Sequence, residues 1–157
     1  MLHTQKIQST IQSLTRKGQF TSEKAFPHHR DTTVYDHSIH VAEVSLAMAD
    51  SLPFTVDVDS LIRGALLHDY FLYRRKESLK TYILHGYRHP VIAAENAEKD
   101  YGINEIEKNI IKRHMFPLTP IPPRYRESWI VCIAGKYCAV LEFLPAEFTK
   151  KYPFKRL

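Results

Sequence analysis

An adjacent histidine and aspartate, His68 and Asp69, are the residues whose type and position most directly suggest chemistry in this chain. They follow a largely apolar segment that runs from Leu61 to Leu67. A buried carboxylate without a partner costs several kcal/mol, so Asp69 needs a cation, hydrogen-bond donors or a route to water. A metal ion would meet that need, and a carboxylate can bridge two ions through its two oxygens. The pair is therefore a candidate metal site, and hydrogen-bonded or solvated partners for Asp69 stay open.

A third candidate ligand lies on the inward face of an earlier predicted helix. His37 shares three-and-four spacing with the apolar residues Val41 and Val44, which turns His37 toward the core. His40 lies nearer the edge of that face. His37 is therefore the inward histidine of this helix.

Later in the chain, His85, His89 and His114 are the other inward candidates. His85 and His89 have the spacing of one helix face, but Pro90 favours a helix that begins here, and His89 leads directly into it. Imidazole nitrogens combined with a carboxylate suit Fe, Mn, Co, Ni or Zn better than Ca. If these side chains converge, they could hold one or two divalent transition-metal ions, and the contribution of His85 stays open.

Three histidines are interpreted more simply as hydrogen-bonded or solvated residues. They are His28, His29 and His40. His29 comes just before the second predicted helix, so it could border the same pocket.

Helices must position these side chains, because the apolar periodicity is helical almost throughout and no alternating strand pattern occurs. The predicted fold class is all-α, a compact bundle of about six helices. Residues 17–33 and 82–89 are predicted as connections, and Pro145 ends the last helix. The predicted helices span residues 3–16, 34–49, a segment containing 61–69, 91–100, 105–114 and 124–143.

Local signals set several helix ends. Asp57 or Asp59 can cap the third helix, and Asn104 with Glu107 forms a plausible capping box for the fifth. Gly102 is expected as the residue that terminates the fourth helix.

Length and composition favour one domain over residues 1–157, with its core in 34–143, a packing helix and loop in 1–33 and a tail in 144–157. The chain has 157 residues, of which 44% are hydrophobic, and a formal charge of +5. No apolar leader or membrane-spanning run is present, so a cytoplasmic protein without a membrane partner is expected. The basic cluster of the tail has no accompanying recognition motif, which argues against nucleic acid as a partner.

Four segments, in this order and spacing, resemble successive motifs of the HD-domain metal-dependent phosphohydrolase superfamily. The resemblance covers roughly residues 34–142. It implies an HD-like helical bundle and metal-dependent hydrolysis of phosphate esters. The segments are Tyr35–Ala42, Gly64–Asp69, His85–Pro90 and Ile110–Met115.

The resemblance also implies roles for individual residues. His37, His68 and Asp69 match the first metal site of the family. His89 and His114 match the extra histidines of members that hold a second ion, with Asp69 as the bridge. By the same resemblance, Asp69 and His68 are the candidate catalytic residues.

The chain departs from the family at Gly135. Family members carry an aspartate there, inside the last core helix, as the final metal ligand, whereas this chain reads Ala134-Gly135-Lys136. A glycine within a helix costs about 1 kcal/mol relative to alanine, and no local feature explains it. Either a water takes the place of the carboxylate, or the first metal site is weakened or empty.

Two functions from different classes follow. The first is hydrolysis of a phosphate ester, of a nucleotide or a related phosphorylated small molecule, by metal-activated water. The second is an HD fold without catalysis that binds a nucleotide or a metal as a sensor or scaffold, which Gly135 favours. The oligomeric state stays open.

Candidate substrate-binding residues are cations and aromatic side chains near the motifs. Tyr70, Tyr73 and Tyr87 could line a base or sugar pocket, although packing roles explain them better. The candidate phosphate-binding cations are Lys136, Arg113, Arg88 and Arg124.

Overall fold

The chain folds into six α-helices and one short 3-10 helix in a computed structural model, which describes residues 2–28, 32–73 and 79–144. These described residues form no named strand, so the all-α prediction is confirmed. The 3-10 helix is Phe20–Ala25. The α-helices are α1 (Leu2–Lys17), α2 (Val34–Asp50), α3 (Val58–Leu67), α4 (Leu79–Tyr101), α5 (Glu105–Arg113) and α6 (Arg126–Phe143).

Side-chain caps begin three of these helices. A capping box between Thr33 and Asp36 opens α2. Asp57 caps α3 by accepting a hydrogen bond from the Ser60 amide, which decides between the two aspartates that the sequence left open. These caps satisfy amides that have no partner within the helix, and they fix where each helix begins.

The end of α4 and the start of α5 agree with the local signals in the sequence. Asn104 and Glu107 form the predicted capping box. Gly102 ends α4 with a φ of +61°, a conformation that suits a residue without a Cβ.

Four helices form a closed ring of contacts around the core: α2 packs on α3, α3 on α5, α5 on α6, and α6 on α2. At the α3–α5 contact, a Cβ built on Gly64 would overlap the Ile110 side chain. The absence of a side chain at Gly64 therefore lets the two helices approach closely. Because His68 follows the end of α3 and His114 follows the end of α5, this contact also sets how near those two histidines lie.

The connection predicted over residues 82–89 is wrong, because α4 runs unbroken from Leu79 to Tyr101 with Pro90 inside it. Proline disfavours a helix interior by removing one amide and crowding a preceding carbonyl. Tertiary packing outweighs that local cost: Ala93, Ala94 and Ala97 are fully or almost fully buried.

The segment predicted as a loop over residues 17–33 contains the 3-10 helix. Phe20 is fully buried, and its ring packs 5.3 Å from that of Tyr35. Burial of Phe20, rather than local propensity, accounts for the 3-10 helix. No helix in the described part of the chain combines the length and apolar character needed to cross a bilayer.

Candidate metal centre

The ends of the ring helices bring the predicted ligands to one place. His37 comes from the first turn of α2, and His89 from the middle of α4. His68 caps the C-terminus of α3, with Asp69 directly after it, and His114 caps the C-terminus of α5. Sequence neighbours in a helix diverge by about 100°, but here the end of α3 lets His68 and Asp69 face the same centre.

Main-chain carbonyls fix the orientation of three of these imidazoles. A carbonyl can only accept a hydrogen bond, so Nδ1 of each ring must carry the proton, and the neutral ring presents Nε2 as a lone pair. Such outer contacts orient histidine ligands in metal sites. The Nδ1 donors and carbonyl acceptors are His68 to Ala65 (2.7 Å), His89 to His85 (2.9 Å) and His114 to Ile111 (2.7 Å).

The Asp69 carboxylate lies where these Nε2 atoms converge. Its Oδ1 is 3.1 Å from His89 Nε2 and 3.4 Å from His114 Nε2, and its Oδ2 is 3.6 Å from His68 Nε2. The Nε2 atoms of His89 and His114 are only 2.9 Å apart. Asp69 Oδ1 is buried and makes no hydrogen bond of ordinary geometry.

This arrangement fits a divalent cation. Lone pairs of neutral imidazoles and an ionised carboxylate oxygen are all acceptors, so they stabilise one another poorly unless a positive charge lies between them. Buried polar groups normally have partners, and an orphaned carboxylate oxygen requires an explanation. Nitrogen and oxygen donors in this combination are typical ligands of first-row transition metals.

Burial and neighbouring charge keep the ligands in the protonation states that a metal requires. Burial lowers the pKa of His68 to about 3 and also lowers the pKa of His37 and of His114. Burial alone would raise the pKa of Asp69, but the surrounding imidazoles outweigh it and hold that pKa well below its usual range. His37, His68 and His114 are therefore neutral and Asp69 is ionised at neutral pH.

Among the residues that the structure describes, potential ligand atoms form three sets, each with its atoms within 4.8 Å of one another. The first ligand set is His37, His68 and Asp69, and the second ligand set is Asp69, His89 and His114. Asp69 is common to both, so the structure brings together the five residues that the sequence singled out. The third ligand set is His28, His37 and Glu142.

Two members of the third ligand set were missed by sequence reasoning. His28 was interpreted as hydrogen-bonded or solvated, and Glu142 was given no role. His28 Nδ1 lies 3.0 Å from Glu142 Oε2, and His37 Nδ1 lies 2.8 Å from Glu142 Oε1. One signal was available, since Glu142 follows Gly135 by two helical turns and shares its face of α6.

Charge within the third ligand set is strongly coupled. Burial opposes the charged form of His28, but Asp69 and Glu142 outweigh it and raise the pKa of His28 to about 9. Burial would raise the pKa of Glu142, yet hydrogen bonds from His28 and His37 lower it well below its usual range. A metal ligand must be deprotonated, so an ion bound at His28 competes with this proton.

The other histidines occupy different surroundings. His85 stacks on His89 with ring centroids 4.6 Å apart, and its Nδ1 is 2.8 Å from the Tyr73 hydroxyl. The three ligand sets together are called the cluster below. His85 lies beside the cluster and belongs to none of the three ligand sets. His40 is about half exposed and 3.9 Å from Glu142, and His29 lies outside the described residues.

A cavity of about 490 Å³ opens onto the cluster. Its volume is typical of a small-molecule site, and its wall is largely apolar. The wall residues that contribute apolar or aromatic surface are Phe26, Phe71, Tyr73, Met115, Leu118 and Phe143.

Of the four predicted phosphate-binding cations, Lys136 lines the cavity, whereas Arg88, Arg113 and Arg124 do not. The Lys136 ammonium donates to the carbonyls of His114 (3.0 Å) and Cys132 (3.2 Å) and lies 3.1 Å from the Cys132 sulfur. All three of its donors are thus directed at the protein. Lys136 connects α6 to the end of α5.

The predicted tyrosines separate in the same way. Tyr73 lines the cavity, and Tyr70 is fully buried with its hydroxyl donating to Asp100 at 2.8 Å. Tyr87 is 46% exposed and does not line the cavity. Only Tyr73 is therefore in position to contact a bound molecule.

Gly135 lines the cavity, and a Cβ built on it would meet nothing within 4 Å. The first side-chain carbon of another residue would therefore meet no obstacle at this position. The glycine is not required by close packing, and the missing carboxylate leaves space beside the cluster.

Comparison with known proteins gives one match. A family model described as HD domain matches residues 34–139, a span that includes all five predicted ligands and excludes His28 and Glu142. No curated protein and no solved structure matches the chain significantly.

Proposed function

The chain belongs to the HD-domain family, and from this we propose that it is a metal-dependent hydrolase of a phosphate ester. The observation that carries the proposal is the convergence of four buried imidazoles on Asp69, whose Oδ1 has no hydrogen bond of ordinary geometry. A scaffold has no physical need for such a group of acceptors in its core, because leaving them unpaired is costly.

The positions of the residues indicate separate roles in hydrolysis. Bound divalent ions supply acidity to water and neutralise charge on phosphoryl oxygens. Asp69, with one oxygen toward the second ligand set and the other toward His68, would be a ligand for a bound ion and would help to orient the attacking water. His68, held by the Ala65 carbonyl at 2.7 Å, keeps its Nε2 lone pair directed at the same centre.

The cavity supports a substrate with an apolar or aromatic group beside its phosphate. Its wall is largely apolar. Among the described lysines and arginines, Lys136 lines the cavity, and its ammonium donates hydrogen bonds to main-chain carbonyls. Negative charge on the phosphate would therefore be met by the ions rather than by the lysines and arginines of the described residues. A nucleotide or a related phosphorylated small molecule fits these requirements.

Metal analysis and a hydrolysis panel test the proposal together. The purified chain is loaded with Mn, Co, Ni, Fe, Zn or Mg, and is assayed on phosphomonoesters, phosphodiesters and nucleotides. We expect bound transition metal and turnover of at least one substrate. His89→Ala should lower activity by at least about 100-fold, because removal of a ligand should exceed the 10 to 100-fold effect of changing its outer contacts.

His3→Ala is the matched control. His3 is an exposed histidine on α1 paired with Asp50 at 2.8 Å, far in sequence from the cluster ligands. Its loss should change neither metal content nor turnover. Equal activity of His89→Ala and the parent chain would rule out hydrolysis at this centre.

Gly135 favours a second candidate, an HD fold that binds a metal or nucleotide without catalysis. This candidate predicts bound metal with no turnover of any substrate in the panel. Appearance of activity in Gly135→Asp, with none in the parent chain, would support it over the hydrolase.

A further inference from the structure

The carboxylate that α6 brings to the cluster comes from Glu142 rather than from position 135. Seven residues make nearly two helical turns, so both positions share one face of α6. Gly135 lines the cavity without a side chain, whereas the Glu142 side chain is only 8% exposed. The face of α6 on which family members carry the aspartate thus still carries a carboxylate, two helical turns after position 135.

Glu142 accepts hydrogen bonds from two histidines at once. Its Oε1 and Oε2 are 2.8 Å and 3.0 Å from the Nδ1 atoms of His37 and His28. The two rings stack with centroids 3.8 Å apart and planes 19° apart. Because both Nδ1 atoms face Glu142, both Nε2 atoms are directed away from it.

His28 therefore has the same arrangement as the predicted ligands. Its Nδ1 is held by an oxygen, as in His68, His89 and His114, and its Nε2 lies 3.5 Å from Asp69 Oδ2. That distance falls within the 3.1 Å to 3.6 Å span that separates the other three Nε2 atoms from Asp69.

The main chain around His28 is also fixed. The His28 amide donates to the Thr32 carbonyl at 2.8 Å, and the Val34 amide donates to the Phe26 carbonyl at 2.9 Å. These bonds tie the segment to the start of α2, which carries His37. The position of His28 over His37 is thus built into the fold.

We propose that His28 Nε2 is a metal ligand that takes over from the missing aspartate at position 135, and that Glu142 is its positioning residue. The first ligand set then becomes His28, His37, His68 and Asp69. This inference rests on the proposed function only in requiring a metal at the cluster. Both added residues lie just outside the segment that the family model matches.

Metal stoichiometry and affinity test the inference without any assay of activity. Zn²⁺ and Co²⁺ are titrated against a chelator, and bound metal is measured by elemental analysis in the parent chain and in His28→Ala and His28→Phe. The phenylalanine keeps a ring to stack on His37 but has no ligand nitrogen. Both variants should bind one ion fewer than the parent chain, or bind that ion at least about 100-fold more weakly. Glu142→Gln should weaken the binding of the same ion by about 10 to 100-fold.

Rescue and a matched control separate ligation from structure. Gly135→Asp added to His28→Phe should restore the lost ion, since a Cβ at position 135 meets nothing within 4 Å and the position lines the same cavity. A structural role for His28 gives no reason for that rescue. His40→Phe changes another histidine near Glu142, at 3.9 Å, and should leave metal binding unchanged.

The outcomes distinguish this inference from the proposed function. If the parent chain binds metal and both His28 variants bind it equally tightly, His28 is not a ligand and the hydrolase proposal is untouched. If the parent chain binds no metal, both proposals fail.

Discussion

Two buried carboxyl groups in this protein have pKa values that are shifted in opposite directions. Imidazoles surround Asp69 and hold its pKa well below the usual range despite burial. Glu23 is equally buried, but burial and the charge of Asp69 raise its pKa well above the usual range, and only the Ser38 hydroxyl opposes them. The difference follows from the neighbours, since desolvation acts on both groups in the same direction.

The raised pKa of Glu23 predicts a pH-dependent stability. Protonated Glu23 contributes to the free energy of unfolding. This contribution is complete below the pKa of about 4.5 that Glu23 has in the unfolded chain, and it is lost as the pH rises through the pKa of Glu23 in the folded chain. Glu23→Gln should therefore raise the melting temperature at pH 8, with the gain shrinking toward pH 4. Thermal unfolding at several pH values measures this.

Glu98→Gln, which changes an exposed carboxylate on α4, serves as the control for Glu23→Gln and should shift the melting temperature little at any pH. A gain from Glu23→Gln that is constant from pH 4 to pH 8 would contradict the assignment.

At Gly135, the residue-scale prediction concerns the helix rather than the metal. Gly135→Ala should stabilise the chain by about 1 kcal/mol, because alanine is the better helix residue and its Cβ meets nothing within 4 Å. Urea unfolding of the parent and the variant measures the difference. A loss of stability would show that the space at position 135 is not free.

At the scale of the elements, the ends of α3 and α5 determine the geometry of the cluster. His68 and His114 cap these helices, so their separation follows from how closely the helices pack. Gly64 against Ile110 is the contact that sets this approach. The metal ligands thus depend on a packing contact between the two helices that carry them.

Gly64→Ala should destabilise the fold by about 1 to 3 kcal/mol, the usual cost of adding an atom to a filled core. It should also weaken metal binding, because α3 and α5 are forced apart. Urea unfolding and chelator competition measure the two effects. Ile110→Val removes the Cδ1 atom nearest the new methyl group and should recover part of both losses, whereas no recovery would argue against this contact as the cause.

At the scale of the whole molecule, the cluster joins segments from His28 to Glu142. Its acceptor groups lie in the core without enough donors, so the folded chain bears a cost that a bound cation removes. Ligands that bind only the folded state stabilise it by mass action. Metal binding and global stability should therefore be linked.

A divalent transition metal at 100 times its dissociation constant should stabilise the chain by about 2.7 kcal/mol per site. Thermal unfolding with added metal, and again after a chelator, measures the shift. His89→Ala should show a smaller shift, whereas His3→Ala should match the parent chain. An identical shift in all three would place the stabilising ion outside the cluster.

The sequence by itself determined the helical class, the cap at Asn104 and the inward position of Asp69 and the four histidines around it, because periodicity, capping and burial cost are local properties. Only the tertiary structure decided that Pro90 lies within a helix and that His28 and Glu142 join the cluster. His28 and Glu142 are 114 positions apart, and no local pattern reports a contact between such distant segments. That contact exists because α2 and α6 pack together.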